Sequence, residues 1–398
     1  MTNIRLVCST WKALIGRQIW GTFITDFAPT ARQDLHALLS PKSGILAYVR
    51  RLIVCKVPCL FLDDLEEALT RFLECMPRGS LKVFLSLSTM SPAIFKDLIA
   101  WHPKLERFEA FIRPDEDEFT QCDWITRRLS EVRTYQMWVK RKTEEDSLEV
   151  HRRLMTGMLS LEDLEVYYEP RRVFQASEKL YVDISPALVS GTYLLRLSIL
   201  TLMGVDMRAC SSPLLERFEI YKLRKLNLLD CSFSSVFITS LSSWYTENAG
   251  LLDTFHFRYP CHSSENAGMI LRASLERFVA VCPSLSRLVI ECRGHDALPV
   301  NCITKHGSTL QSLRIGMDAW PDRHNTVKPY TPTYSAQDLE AILRACQTLE
   351  SVGFDMPFDT VDLGSVSEAE PPFELARQST NEMYALPEFE HFLVSYQT

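Results

Sequence analysis

A short apolar pattern recurs along the chain. It consists of a leucine, two variable residues, an apolar residue, one variable residue and a further apolar residue. The alternation in its second half is typical of a strand that buries one face. Clear copies begin at Val49, Leu105, Leu161, Leu194, Leu215, Leu252, Leu285, Leu310 and Leu349, and weaker copies begin at Leu81 and Leu129. The copies lie about 30 residues apart on average, a spacing typical of strand–helix repeats.

Several copies follow the end of a predicted helix. Ser91 and Pro92 are residue types preferred at the cap and at the first position of a helix, and Pro103 ends the apolar stripe that follows them. Similar stripes precede the copies at Leu285 and Leu349, and the second stripe follows Ser335 and Asp338, which have the spacing of a helix cap. The predicted unit is therefore helix, corner, short strand and loop. Units of this kind stack into a solenoid with the strands on the concave side and the helices outside.

The alternative architecture is a flat, doubly wound α/β sheet. Its strands would be continuous apolar runs, because helices bury both faces of the sheet. Here charged residues interleave with the apolar ones, as Glu162, Asp163 and Glu165 do around Leu164. One face of each strand is therefore expected to contact water. This favours an α/β, irregular leucine-rich-repeat-like solenoid with a parallel sheet on its concave face, spanning residues 23–356.

Residues 1–22 form a separate predicted unit, a short amphipathic helix with a cationic face. A helix this short must pack against something to be stable. One interpretation is a cap over the open end of the solenoid, since terminal repeats need a cover. The apolar stripe consists of Ile4, Val7, Cys8, Trp11, Leu14 and Ile15.

The same segment resembles the C-terminal half of an F-box, and with the repeats it is similar to the fungal F-box/leucine-rich-repeat proteins. The residues that match in order and spacing are Ile4, Leu6, Val7, Cys8, Trp11, Leu14, Ile15, Ile19 and Trp20. The resemblance implies a substrate receptor of an SCF-type cullin–RING ubiquitin ligase. Its F-box would dock onto the Skp-type linker through these residues, Ile19 apart, and its repeats would hold an unknown protein target. An F-box usually opens with Leu-Pro and an apolar helix about 20 residues upstream of the Leu-Val-Cys run, and the match begins after that part.

Charge argues against a nucleic-acid partner. The net charge of −7 comes from residues 357–398, where eight acids face one arginine, so the rest of the chain is neutral. A neutral body with an acidic tail does not attract a phosphate backbone. That tail, with its Pro371-Pro372 pair, is predicted to be mobile. No apolar run is long enough to span a membrane, and the twelve cysteines are interpreted as reduced thiols of a cytoplasmic or nuclear protein.

Signatures of catalysis and of cofactor binding are absent from the sequence. There is no Gly-rich phosphate loop with its lysine, no His-Glu-x-x-His and no Gly-x-Ser-x-Gly. Cys292, His295, Cys302 and His306 have a spacing that zinc could accept, but repeat position explains Cys292 and Cys302 without metal. We therefore predict no enzyme activity, no cofactor and no metal, while a metal enzyme or hydrolase on an α/β sheet stays the third alternative.

The concave face is the predicted target-binding surface. In each copy, the residue between the last two apolar positions and the residue after them should face outwards from the core. Aromatic anchors bounded by charge are typical of protein-binding surfaces; the alternative is a solvated strand face with cross-strand ion pairs. The predicted target-binding residues are Glu109, Phe111, Glu165, Tyr167, Glu219, Tyr221, His256, Arg258, Glu291 and Arg314.

Overall fold

The computed structural model describes residues 20–25, 44–55, 62–112, 128–139, 144–168, 181–188, 196–258, 265–291, 298–316 and 334–354. Residues 1–19, 317–333 and those from 355 lie outside the described residues, and so do all the predicted linker-binding residues except Trp20.

Within the described ranges, one sheet of twelve strands runs through the molecule. The strands are β1 (Thr22–Thr25), β2 (Arg51–Val54), β3 (Val83–Met90), β4 (Arg107–Ile112), β5 (Thr134–Val139), β6 (Asp163–Tyr168), β7 (Ile199–Met203), β8 (Lys225–Leu229), β9 (Thr254–Arg258), β10 (Arg287–Glu291), β11 (Ser312–Gly316) and β12 (Ser351–Phe354). Their order in the sheet is their order in the chain. Every neighbouring pair is parallel.

Helices connect most of these strands. They are α1 (Leu62–Cys75), α2 (Pro92–Trp101), α3 (Glu144–Gly157), α4 (Ser185–Leu188), α5 (Met207–Arg217), α6 (Ser234–Glu247), α7 (Glu265–Val281), α8 (Val300–Thr304) and α9 (Ala336–Ala345). A doubly wound sheet reverses its strand order to cover both faces, whereas this order never reverses. Because crossovers between parallel strands are right-handed, all the helices pack on the same side. The solenoid-like repeat is therefore confirmed, and the doubly wound alternative is wrong.

The helix starts predicted from the sequence are confirmed. The Ser91 hydroxyl accepts a hydrogen bond from the N–H of Ile94 at 3.5 Å, and Pro92 is the first residue of α2. Ser335 and Asp338 form a capping box at the start of α9, with reciprocal side-chain-to-backbone bonds of 3.1 and 3.0 Å. These caps fix where each helix begins and hence where the next strand enters the sheet.

The core is one continuous layer between the sheet and the helices. In β2 to β12 the residue three positions before the first inward-facing strand residue is always buried, from Val49 and Leu81 to Leu310 and Leu349. Inward aromatic rings also stack between strands: Phe108 lies 6.1 Å from Phe84 and 6.1 Å from Tyr135, centroid to centroid. Each repeat therefore buries its apolar face only by packing on its neighbours.

Two copies of the pattern were assigned in the wrong register. The copy at Leu194 begins instead at Leu197, so that Leu200 and Leu202 face the core and are fully buried. The copy as assigned places Leu200 after its last apolar position, on the outward side, and this placement is wrong. Two overlapping runs of leucine fit the template here. The copy at Leu129 likewise begins at Val132, with Tyr135 and Met137 inward.

The copy at Leu215 is not a strand. Leu215 lies in α5, which Asp206 caps by accepting a hydrogen bond from the N–H of Arg208. A short 3-10 turn (Ile220–Lys222) follows, and the strand is β8, which fills the template with Leu223, Leu226 and Leu228. This segment forms a helix instead of a strand because its cap and its buried Leu214 stabilise the helix locally. The complete strand pattern belongs to the next segment.

Candidate protein-binding surface

The face of the sheet opposite the helices is built from rows of side chains in register. We call it the open face. Because strand side chains alternate, the open-face residues of β6 are Asp163, Glu165 and Tyr167. Parallel pairing aligns the middle residue of each strand into one row. From β3 to β12 this row reads Leu85, Glu109, Gln136, Glu165, Thr201, Asn227, His256, Val289, Arg314 and Gly353.

The chemical character of the open face changes along the array. At β1 to β3 its middle row is apolar, with Ile24 60% exposed and Ile53 and Leu85 half-buried. At β4 to β6 it becomes acidic and aromatic. From β8 to β11 the open-face charges are mainly positive, from Lys225, Arg258, Arg287 and Arg314. The surface is therefore asymmetric in charge.

The acidic–aromatic cluster consists of Gln136, Trp138, Asp163, Glu165 and Tyr167. Gln136 donates from Nε2 to Glu165 Oε2 at 2.5 Å, and its Oε1 accepts from the Trp138 indole N–H at 2.9 Å. Tyr167 donates its hydroxyl proton to the same Glu165 oxygen at 3.0 Å. The rings of Trp138 and Tyr167 stack with centroids 4.6 Å apart and planes 18° apart. These bonds hold the cluster in one geometry.

Asp163 is the carboxyl group of this cluster with an unsatisfied buried oxygen. Its Oδ1 is buried and makes no hydrogen bond. Burial raises the pKa of Asp163 to about 7, and the nearby charge of Glu165 adds to the shift, while Lys225 and Arg107 oppose it. Burial also raises the pKa of Tyr167, as does Glu165, so its hydroxyl stays a donor at neutral pH. A cation beside this cluster would therefore favour the ionised form of Asp163, in the same sense as Lys225 and Arg107.

Glu109, which lies beside Gln136 in the middle row, is already neutralised. It is buried, and it accepts a hydrogen bond from Arg107 Nε on its own strand. A buried carboxylate paired in this way contributes little net negative charge to a partner. The acidic character of the cluster therefore comes mainly from Asp163 and Glu165.

The basic cluster consists of His256, Arg258, Arg287 and Arg314, with Glu291 among them. Arg258 donates from Nε to Glu291 Oε2 at 2.5 Å and lies 3.5 Å from Asp230. His256 Nε2 is 3.6 Å from Glu291, longer than a hydrogen bond, so we treat that contact as electrostatic. Burial raises the pKa of Glu291, but His256 and the charge of Arg258 outweigh it and the pKa falls to about 2.

Two arginines of the basic cluster form no ion pair with the described residues. Within the described part of the chain, no ion pair involves Arg287 or Arg314. Arg287 is exposed, and the half-buried stem of Arg314 lies over Gly353, where an added Cβ would be 3.4 Å from Arg314 Cγ. Burial lowers the pKa of His256 against the opposing effect of Glu291, so the positive charge comes from arginine at neutral pH.

The structure brings most predicted target-binding residues onto the open face. Seven have this placement: Glu109, Glu165, Tyr167, His256, Arg258, Glu291 and Arg314. Phe111 pairs with Thr89 in the sheet, and its side chain lies outside the described residues. Whether these residues bind a target stays a prediction.

Glu219 and Tyr221 were wrongly predicted to lie on this face. They sit at the 3-10 turn before β8, where the Tyr221 hydroxyl donates to Glu219 Oε2 at 2.7 Å and Lys222 pairs with the same carboxylate. Both residues belong to a local turn outside the sheet, because the segment that carries them connects α5 to β8.

Sequence reasoning missed Gln136, Trp138, Asp163 and Arg287. The first two were hidden by the wrong register at Leu129. The other two occupy the outward position before the middle row, which strand alternation also places on the open face. Counting three outward positions in each strand, instead of two, would have found Asp163 and Arg287.

The buried histidines are structural. The Nδ1 of His306 accepts from the N–H of Leu285 at 3.3 Å, and its Nε2 donates to the carbonyl of Val279 at 2.9 Å. His102 Nδ1 accepts from the N–H of Leu81 at 3.4 Å in the same way. Within the described ranges no group of three His, Cys, Asp or Glu side chains could hold a metal ion, and of the zinc-type grouping Cys292 and His295 lie outside them.

Comparison with known proteins does not assign a family. A scan against protein-family models finds no match, and no curated protein matches the sequence. Among the described helices, none has both the length and the apolar character needed to cross a membrane.

Proposed function

We propose that this protein is a non-enzymatic substrate receptor of an SCF-type cullin–RING ubiquitin ligase. The open face would hold the protein target, and the N-terminal segment would dock onto the Skp-type linker. The observation that carries the proposal is the open face itself: twelve parallel strands present aligned rows of charged and aromatic side chains opposite the helices. The resemblance of residues 4–20 to an F-box supports the ligase part.

Rigid side chains support the proposal that the open face binds a protein. Tyr and Trp contribute strongly to interfaces when their rotamers are already fixed, because little conformational entropy is lost on binding. In the acidic–aromatic cluster Gln136, Trp138 and Tyr167 each donate a hydrogen bond to another member of the cluster. A partner would therefore meet a preorganised surface.

The test of the ligase part is a titration with a purified Skp-type linker. Two forms should be compared: the present chain and a form extended upstream to include a Leu-Pro and an apolar helix. We expect the extended form to bind, because the upstream helix supplies the rest of the hydrophobic anchor. Absence of binding by both forms would remove the ligase assignment and leave the open face unaffected.

A second candidate function is a repeat scaffold without a ligase link, in which residues 1–20 cap the array. One observation favours it: Trp20 is half-buried and lies three residues before Phe23, where later repeats have their first buried apolar residue. Phe23 in turn stacks on Phe72 of α1, with centroids 5.0 Å apart. Trp20 and Phe23 therefore have the positions of the first two apolar residues of a repeat.

A further inference from the structure

The acidic–aromatic cluster and the basic cluster have opposite charge, and the number of strands between them sets their separation. Asp163 and Glu165 are on β6, and Arg287 and Arg314 are on β10 and β11. Neighbouring strands are about 4.8 Å apart, so the clusters are separated by about 19 to 24 Å. An extended peptide lying across the strands covers this distance with about six or seven residues.

Each cluster has charged groups that form no ion pair among the described residues. On one side, the buried Oδ1 of Asp163 has no hydrogen-bond partner, and one oxygen of Glu165 takes both internal donors. On the other side, Arg287 and Arg314 form no ion pair within the described ranges. The charges that are balanced, such as Glu291 with Arg258, are the more deeply buried ones.

We propose that the open face binds an extended protein segment whose charges are complementary to those of the two clusters. A lysine or arginine of the partner would lie against Asp163 and Glu165, and an aspartate or glutamate would lie against Arg287 and Arg314. The inference rests on the proposed function of this face as a protein-binding surface and names the chemistry of its partner. Charge complementarity of this kind sets orientation and specificity more than it sets affinity.

The acidic–aromatic cluster suits a basic side chain better than a bare metal ion. A cation over an aromatic face is attracted by the ring quadrupole, and the half-buried Trp138 stacks on the buried Tyr167 beside Glu165. The apolar stem of lysine or arginine can pack on these rings while its charged end reaches the carboxylates. Among the described residues, no third carboxylate or imidazole completes a metal-ligand set there.

The test uses synthetic peptides, measured by fluorescence anisotropy against the full chain. One peptide has three arginines at one end and three glutamates at the other, with four Gly/Ser residues between them, and a second peptide reverses that order. A third has the same composition with alternating charges. We expect one block peptide to bind at least about fivefold more tightly than the alternating isomer, and its affinity to fall as salt rises.

Substitutions in each cluster test where the preferred peptide binds. Glu165→Gln and Arg314→Gln should each weaken binding of the preferred block peptide by about three- to fivefold, the scale of a partly buried ion pair. The matched controls are Glu340→Gln and Arg344→Gln on α9, which carry the same chemistry on the helix side, 57% and 78% exposed. These two should leave binding unchanged.

Equal binding of block and alternating peptides would overturn the proposal. So would the absence of saturable binding by any peptide, or an equal loss from the α9 controls. None of these outcomes depends on the linker titration, so failure of the polarity proposal and failure of the ligase assignment are distinguishable.

Discussion

The indole ring of Trp138 stacks on the phenol ring of Tyr167, which belongs to the neighbouring strand, with centroids 4.6 Å apart. Both side chains are also tied to the same carboxylate, Trp138 through Gln136 and Tyr167 directly. The stacked pair and Glu165 therefore act as one rigid unit on the open face.

Removing the Tyr167 hydroxyl should loosen this unit without unstacking it. Tyr167→Phe takes one donor from Glu165, and we expect the free energy of unfolding to fall by about 1 kcal/mol, as for a charged hydrogen bond at a partly buried site. Tyr221→Phe is the matched control, because it breaks the same kind of bond to Glu219 in an exposed turn. Urea unfolding should show less than about 0.5 kcal/mol for the control; equal losses would contradict the rigid unit.

Two adjacent leucines test the repeat register. Leu252 is 1% exposed at the first position of the β9 repeat, whereas Leu251 is 53% exposed. Leu252→Ala should lower the free energy of unfolding by about 3 kcal/mol through lost burial and a cavity. Leu251→Ala should change it by less than about 0.5 kcal/mol. Thermal and urea unfolding of the two variants check the assignment, which a large effect at Leu251 would refute.

Asp163 should make the protein less stable as pH rises. Its pKa is raised from 3.8 to about 7 by burial, so the folded chain binds this proton more tightly than the unfolded chain. The resulting stabilisation is complete below about pH 4 and is lost as pH rises through 7. Asp163→Asn should therefore be about 1–2 kcal/mol more stable than the wild type at pH 8, after allowance for solvent screening.

The measurement for Asp163 is the free energy of unfolding of both proteins between pH 4 and 8. The advantage of the variant should shrink steadily towards pH 4. A difference that does not depend on pH would show that the Asp163 carboxyl titrates normally.

Buried histidines should have the opposite effect. Burial lowers the pKa of His102 and of His151 to about 4. As pH falls, these rings are therefore protonated in the unfolded chain at a higher pH than in the folded chain. The contribution of each ring to the free energy of unfolding should be complete above about pH 6.5. It should fall by about 2 kcal/mol for each ring as pH falls towards 4. His102→Asn keeps an acceptor for the N–H of Leu81 but cannot be charged, so its unfolding free energy should fall less between pH 7 and 4.5. Parallel pH dependence of variant and wild type would count against this role for His102.

The sequence predicted the repeat best where helix ends and leucines agree. Ser91, Pro92 and Ser335 are chemical signals whose meaning depends on a few neighbours, and the structure confirms the helices that they start. The prediction failed at Leu194 and Leu215, where leucines are so frequent that the template also fits a later frame. The choice between frames depends on packing against adjacent repeats, which a local pattern does not contain.

The surface was harder to predict than the core. Placement of Glu165, Tyr167 and Arg258 followed from strand alternation alone. The pairing of Gln136 with Glu165 depends on the register between two strands 29 residues apart in the chain. The raised pKa of Asp163 depends on burial and on charges from neighbouring strands. Such properties arise only when the strands are assembled.

One substitution with two readouts tests the central claim that residues 1–20 connect the repeat array to a Skp-type linker. Trp11→Ala should be titrated with the purified linker and unfolded by heat beside the wild type, both in the upstream-extended form. The account predicts that linker affinity falls at least about tenfold, the scale of an interface hot spot, while the unfolding temperature stays the same. Unchanged affinity with a lowered unfolding temperature would contradict it and identify the segment as a cap.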